Sequence, residues 1–210
     1  MGCDSPADFQ REGVEYLLPA AGLTMGYQAI IPGMRFDCHG YVTNWSALFA
    51  LDGRFVGQFT LSHQMYFQLW RPVVRERELT YERVDDDYIL LSSNSQELED
   101  VDTSAPDPNS ETVFLQLQSR PGETESRMYF EPGDVIGFFV PQFTSIAPLG
   151  VTFRQTAASN ASTNIYSYKS DEQLCQLSEC GEGVTVHGTV VPQISVNYGE
   201  IRPYYVGSIS

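Results

Sequence analysis

Lysine is almost missing from this sequence: Lys169 stands alone against eleven arginines, and the histidines number three, His39, His63 and His187. With 27 acidic residues the net charge is −15. That balance argues against nucleic acid or anionic lipid as a partner, because binding a polyanion needs clustered Lys and Arg. No stretch of about eighteen unbroken apolar residues occurs, so this segment is not expected to insert into a membrane. The opening Met1-Gly-Cys-Asp-Ser-Pro lacks the basic region and apolar core of a secretory signal, which places any signal or anchor outside the given chain. Motifs of catalysis are missing too. There is no G-x-S-x-G elbow, no HExxH and no P-loop, and the expectation is a protein that is not an enzyme.

What is present is β-forming. The 210 residues are 42% apolar and 12% aromatic, with 17 Gly and 12 Pro, which is enough to bury one substantial core. Phe130-Glu-Pro-Gly-Asp-Val-Ile-Gly-Phe-Phe-Val-Pro141 reads as a Pro-Gly turn feeding an apolar strand that a second proline ends. Gln64-Met-Tyr-Phe-Gln-Leu-Trp-Arg-Pro72 reads as a strand stopped by Pro72. Asp52-Gly53 marks a hairpin between Tyr41–Leu51 and Arg54–Leu61. Further strands are expected at Tyr81–Val84, Tyr88–Ser92, Thr112–Gln118, Ile165–Tyr168, Val184–Val191 and Gln193–Val196. The predicted class is all-β: an antiparallel β-sandwich, jelly-roll-like, of about a dozen short strands. A single domain over residues 1–210 is expected. Residues 1–20 form an N-terminal segment, either a helical turn or a docking first strand; 93–111 form a long acidic surface loop, and 199–210 a tail.

Cysteines stand at Cys3, Cys38, Cys175 and Cys180. An even number without a CxxC pair reads as two disulfides, with Cys175–Cys180 as a local staple and Cys3–Cys38 as a clamp the favoured connectivity. Sequons at Asn44-Trp45-Ser46 and Asn160-Ala161-Ser162 agree with a secreted or cell-surface glycoprotein.

The order Phe36-Asp-Cys-His-Gly-Tyr-Val-Thr-Asn-Trp45, Phe67-Gln-Leu-Trp-Arg-Pro72 and Phe130-Glu-Pro-Gly-Asp-Val-Ile-Gly-Phe138 resembles a module of large invertebrate cell-surface proteins of mucin-like or scavenger-receptor-like type. The resemblance runs from about residue 25 to residue 198. It implies an extracellular recognition or adhesion module and carries over no catalytic residue.

Three contact readings follow from the residues themselves. If Phe67 and Leu69 point inward, Tyr66, Gln68 and Trp70 form an outward stripe able to meet a protein or stack on a sugar; the alternative is that another sheet or the N-terminal segment covers it. Trp45, Tyr204 and Tyr205 are further platforms for a glycan. Glu99, Asp100 and Asp102 in the acidic loop are candidate contacts. Asp85-Asp86-Asp87, or Glu99–Asp102, supply the hard oxygens that Ca²⁺ takes in six to eight ligands at about 2.4 Å. Adjacent aspartates in an extended strand point to opposite faces, so all three converge on one ion only from a turn; otherwise they make a solvated acidic edge. The expected function is a non-catalytic recognition or adhesion module of a cell-surface or matrix protein, with a Ca²⁺-dependent lectin-like domain and a self-associating matrix protein as alternatives.

Overall fold

The computed structural model describes residues 16–17, 26–52, 64–90, 95–97, 112–118, 128–141, 153–155, 165–169, 183–186, 190–192 and 194–200, with side chains for 26–47, 64–88, 128–141, 165, 166 and 168. These residues are all-β, with no helix among them. In chain order the strands are β1 (Tyr16–Leu17), β2 (Tyr27–Arg35), β3 (Gly40–Asp52), β4 (Gln64–Arg75), β5 (Glu78–Leu90), β6 (Ser95–Glu97), β7 (Thr112–Gln118), β8 (Tyr129–Phe130), β9 (Val135–Phe139), β10 (Phe153–Gln155), β11 (Ile165–Lys169), β12 (Gly183–Val186), β13 (Val190–Pro192) and β14 (Ile194–Glu200). Every pairing is antiparallel. Six strands run β12-β11-β2-β9-β4-β5; a second sheet runs β14-β3-β7-β6 with β8 on β3; a small third runs β1-β10-β13.

Strand β9 sits between β2 and β4 and is buried on both faces, which is why Val-Ile-Gly-Phe-Phe is apolar throughout instead of alternating. Its entry is a four-residue turn. The Asp134 amide donates to the Glu131 carbonyl at 3.0 Å, with Pro132 and then Gly133, φ +99°, at the centre. That is type II geometry, which Pro and Gly in this order prefer.

The faces of the six-stranded sheet have different neighbours. On one, Phe67 stacks on Trp45 of β3 at 5.3 Å, and the Trp45 Nε1 donates to Asp87 at 2.9 Å, so the two larger sheets meet there. On the other, Ile30, Trp70, Tyr81 and Val135 form a buried cluster, with Tyr166 and Tyr168 packed against it. The rings of Tyr81 on β5 and Tyr166 on β11 lie 6.0 Å apart. Four strand spacings separate those strands, about 19 Å on a flat sheet. The sheet therefore curls around this second face.

A bulge sets the phase of β5. Leu69 pairs with Asp85 and Trp70 with Arg83, leaving Val84 as the extra residue. Tyr81 and Asp87, which simple alternation places together, thus bury on opposite faces.

Several strand expectations change. Pro72 does not end β4, which continues to Arg75: beyond Trp70, β4 pairs with β5 alone among the described residues, and such an edge tolerates a proline. The expected strand at 81–84 and residues 88–90 of the one expected at 88–92 are parts of the single β5, and 91–92 lie outside the described residues. Inside the acidic 93–111 segment, Ser95–Glu97 is strand, paired with β7. Val184–Val191 is divided between β12 and β13, which belong to different sheets. Gly199 and Glu200 of the expected tail pair with Tyr41 and Gly40. Tyr16–Leu17 pairs with β10, so the strand alternative holds for that part of the N-terminal segment. The expected returning strand 54–61 lies outside the described residues.

Candidate functional site

Strands β4 and β5 stay paired from Gln64–Leu90 to Arg75–Glu78, whereas β9 accompanies β4 only from Tyr66 to Trp70. Beyond Trp70, Arg71–Arg75 and Glu78–Glu82 therefore pair with each other alone among the described residues and form a two-stranded spur. The connecting residues, Glu76 and Arg77, have φ of +51° and +73°. Two left-handed residues in a two-residue loop make the turn that matches strand twist, but it usually takes Asn-Gly. An L-residue in this conformation costs roughly 1–2 kcal/mol. Here both positions carry charged side chains.

The spur is fixed at its root. Arg71 places Nε 2.8 Å from Asp134 Oδ1 and Nη2 2.9 Å from Asp134 Oδ2, with Nη1 3.3 Å from Glu131 Oε2. Asp134 is buried, and its Oδ2 also accepts from the Glu131 amide at 2.8 Å. The bond to Asp134 raises the Arg71 pKa, with burial opposing and the charges of Asp134 and Glu131 assisting. A planar guanidinium matches a carboxylate with two parallel bonds, which a lysine cannot do. The Pro-Gly turn thus forms the socket for the spur, and Phe130 stacked on Phe36 at 3.8 Å backs it.

An apolar stripe runs outward from there. Trp70 and Tyr81 are buried, and the next cross-strand pair on their face, Val74 and Leu79, is 74% and 62% exposed. Among the described residues the exposed large hydrophobic side chains are Val74, Leu79, Val84, Tyr88 and Tyr129, and the first four all lie on β4 or β5. Charged residues flank the pair: Arg75, which contacts Glu82, then Glu76, Arg77 and Glu78.

The expected contact stripe is corrected. Gln68 and Trp70 are 0% exposed, and Tyr66 is partly buried, so Tyr66/Gln68/Trp70 is not an open surface. The curl of the sheet covers it. Inside, Gln68 Nε2 donates to Gln28 Oε1 at 2.9 Å and Trp70 Nε1 to Gln68 Oε1 at 3.2 Å, giving these polar groups partners. Trp45 is buried as well and offers no platform to a sugar.

Asp85–Asp87 also differ from a metal centre. They lie in the extended part of β5 and alternate in direction. Asp87 accepts from Trp45 and from the Tyr88 amide, Asp85 from the Asp86 amide, and Asp86 faces Arg83 at 3.7 Å. Among the described residues no group of three or more His, Cys, Asp or Glu is arranged to hold a metal ion. Burial raises the pKa of Asp87, opposed by its bonds from Trp45 and Tyr88; burial also raises that of Asp86, opposed by Arg83.

Cys38 is disulfide-bonded. Asn44 of the first sequon lies in β3, opposite Asn197, partly buried. Cys3, Cys175, Cys180, Asn160, Glu99, Asp100, Asp102, Tyr204 and Tyr205 lie outside the described residues. Sequence reasoning placed strands at Gln64–Trp70 and Tyr81–Val84 but stopped the first at Pro72 and missed the spur, because no Asn-Gly or Asp-Gly marks its turn. The alternating Arg75-Glu-Arg-Glu78 between Val73-Val74 and Leu79-Thr-Tyr81 was the available signal. Comparison with family models, with curated proteins and with solved structures finds no match.

Proposed function

We propose that this chain is a non-catalytic recognition or adhesion module of a larger cell-surface or matrix protein, built as a jelly-roll-like β-sandwich, and that the β4–β5 spur is its contact surface. The observation that carries the reading is the exposed Val74–Leu79 pair on a spur held by the Arg71–Asp134 fork. Apolar side chains presented to water on an anchored projection usually mark a partner site. The disulfide at Cys38 supports an oxidising compartment. Stacking of Trp45 on Phe67 between sheets supports the sandwich. The resemblance to invertebrate surface modules points the same way.

The test is retention of beads coated with the purified chain on surfaces carrying mucin-type glycan, collagenous matrix or the chain itself. Retention on at least one surface is expected, lost in Val74→Asp/Leu79→Asp and kept in Tyr129→Ala, which changes an exposed aromatic elsewhere. No retention on any surface, or equal loss in both variants, overturns the reading.

A further inference from the structure

We infer that the β5 margin of the six-stranded sheet holds a metal-independent site for a neutral hexopyranose, with Tyr88 as the stacking platform and Asp86 and Arg83 as the groups that take its hydroxyls. The inference does not rest on the spur, which lies beyond Trp70 on the same two strands.

Register places these residues together. Tyr66, Gln68 and Trp70 share one face of β4, and their partners across the ladder are Tyr88, Asp86 and Arg83, which therefore share that face too. Gln68 and Trp70 are covered, but the β5 end of the face is open. Tyr88 is 50% exposed, and the side chains of Asp86 and Arg83 keep 30% and 18%. The Tyr88 ring lies 5.8 Å from that of Tyr66, which in turn lies 5.9 Å from Phe139. A half-open phenol thus ends a packed aromatic row.

The chemistry beside it suits a sugar. Pyranose C–H groups carry partial positive charge and meet the negative face of an aromatic ring. The hydroxyls around them need donors and acceptors in one place, which a guanidinium and a carboxylate supply. Asp86 Oδ1 and Arg83 Nε stand 3.7 Å apart, too far for a hydrogen bond, so the Asp86 carboxylate keeps acceptor capacity. The Tyr66 hydroxyl donates to Gln64 Oε1 at 2.5 Å, which leaves its oxygen free to accept. Its pKa is raised by burial first and then by the charge of Asp86, which puts the phenol near that carboxylate. Anion and cation offset each other in the patch, and the whole chain carries −15, so a neutral sugar fits and an acidic one is repelled. A purely apolar partner would strip water from Asp86 and Arg83 without replacing its bonds.

Saturation-transfer NMR on the purified chain tests the site in the presence of chelator, with methyl β-galactoside and methyl β-glucoside as probes and N-acetylneuraminic acid as the acidic control. Irradiating the aromatic protons is expected to mark the ring C–H protons of at least one neutral probe, with a dissociation constant on the order of 1 mM. Tyr88→Phe keeps the platform and should keep the transfer. Tyr88→Ala and Asp86→Ala should each weaken binding at least about tenfold. Tyr129→Ala and Val74→Asp/Leu79→Asp should leave it unchanged. Transfer to neither neutral probe overturns the inference, as does transfer undiminished in Tyr88→Ala, lost equally in Tyr88→Phe, or stronger to the acidic control. Such a failure leaves the spur standing as the contact surface, because its own test turns on Val74 and Leu79.

Discussion

Arg71 and Asp134 lie 63 residues apart in sequence and share two parallel hydrogen bonds of 2.8 and 2.9 Å. One belongs to a strand that leaves its sheet; the other closes the turn that starts the central strand. The fork thus ties the root of the spur to that turn, beside the buried Tyr81.

Arg71→Ala is expected to lower stability by about 2 kcal/mol, since it leaves the buried Asp134 carboxylate without its cation while Arg71 itself is partly solvated. Hydrogen exchange should quicken in residues 71–82 more than in β9. Uniform protection after the change would refute the anchoring role.

Gly137→Ala should be among the most damaging single substitutions. A Cβ there would lie 2.6 Å from the Ala29 carbonyl oxygen and 2.6 Å from Trp70 Nε1. Two rigid neighbours on opposite sides leave no direction for relief. A loss of about 3 kcal/mol or more in urea unfolding, or failure to fold, is expected. Trp70→Phe added to it should not restore wild-type stability, because the backbone contact remains.

The Asp87 carboxyl titrates above its ordinary 3.8 in the folded state, chiefly through burial. Between the ordinary and the raised value the folded chain holds more protons than the unfolded one, so this group's contribution to stability falls as pH rises through that window. Trp45→Phe removes the bond that favours the ionised form and lets the value rise further. The variant's deficit, about 1–3 kcal/mol at pH 7, should shrink on acidification toward pH 4. A deficit independent of pH in urea titrations would disprove the coupling.

Replacing Glu76-Arg77 with Asn-Gly should relieve the turn and stabilise the chain by about 1 kcal/mol in urea unfolding. No gain in the urea midpoint would refute the cost assigned to the two left-handed residues.

The class of fold was legible because Phe130–Pro141 carries its own punctuation and an apolar run too dense for a half-buried strand. Pro72 misled: beyond Trp70 the strand pairs with β5 alone among the described residues, and a two-stranded edge tolerates a proline. The Tyr66/Gln68/Trp70 stripe was right in its alternation and wrong in exposure. Period-two pattern says which residues share a face, but covering that face depends on curl, a property of several strands together. Asp85–Asp87 show the same division, since their alternation was readable while the partner of Asp87, Trp45 on another sheet, was not. The spur was hidden because its turn uses residues that propensity disfavours.

Val84 has a consequence for how this protein can change. The extra residue works as a phase shifter, so the alternation of 78–83 is set separately from that of 85–88. Substitutions that redraw the pattern of the spur need not be matched by substitutions in the part of β5 that packs on Trp45. The tip can be exchanged, by selection or by grafting, as a cassette whose reading frame ends at the bulge.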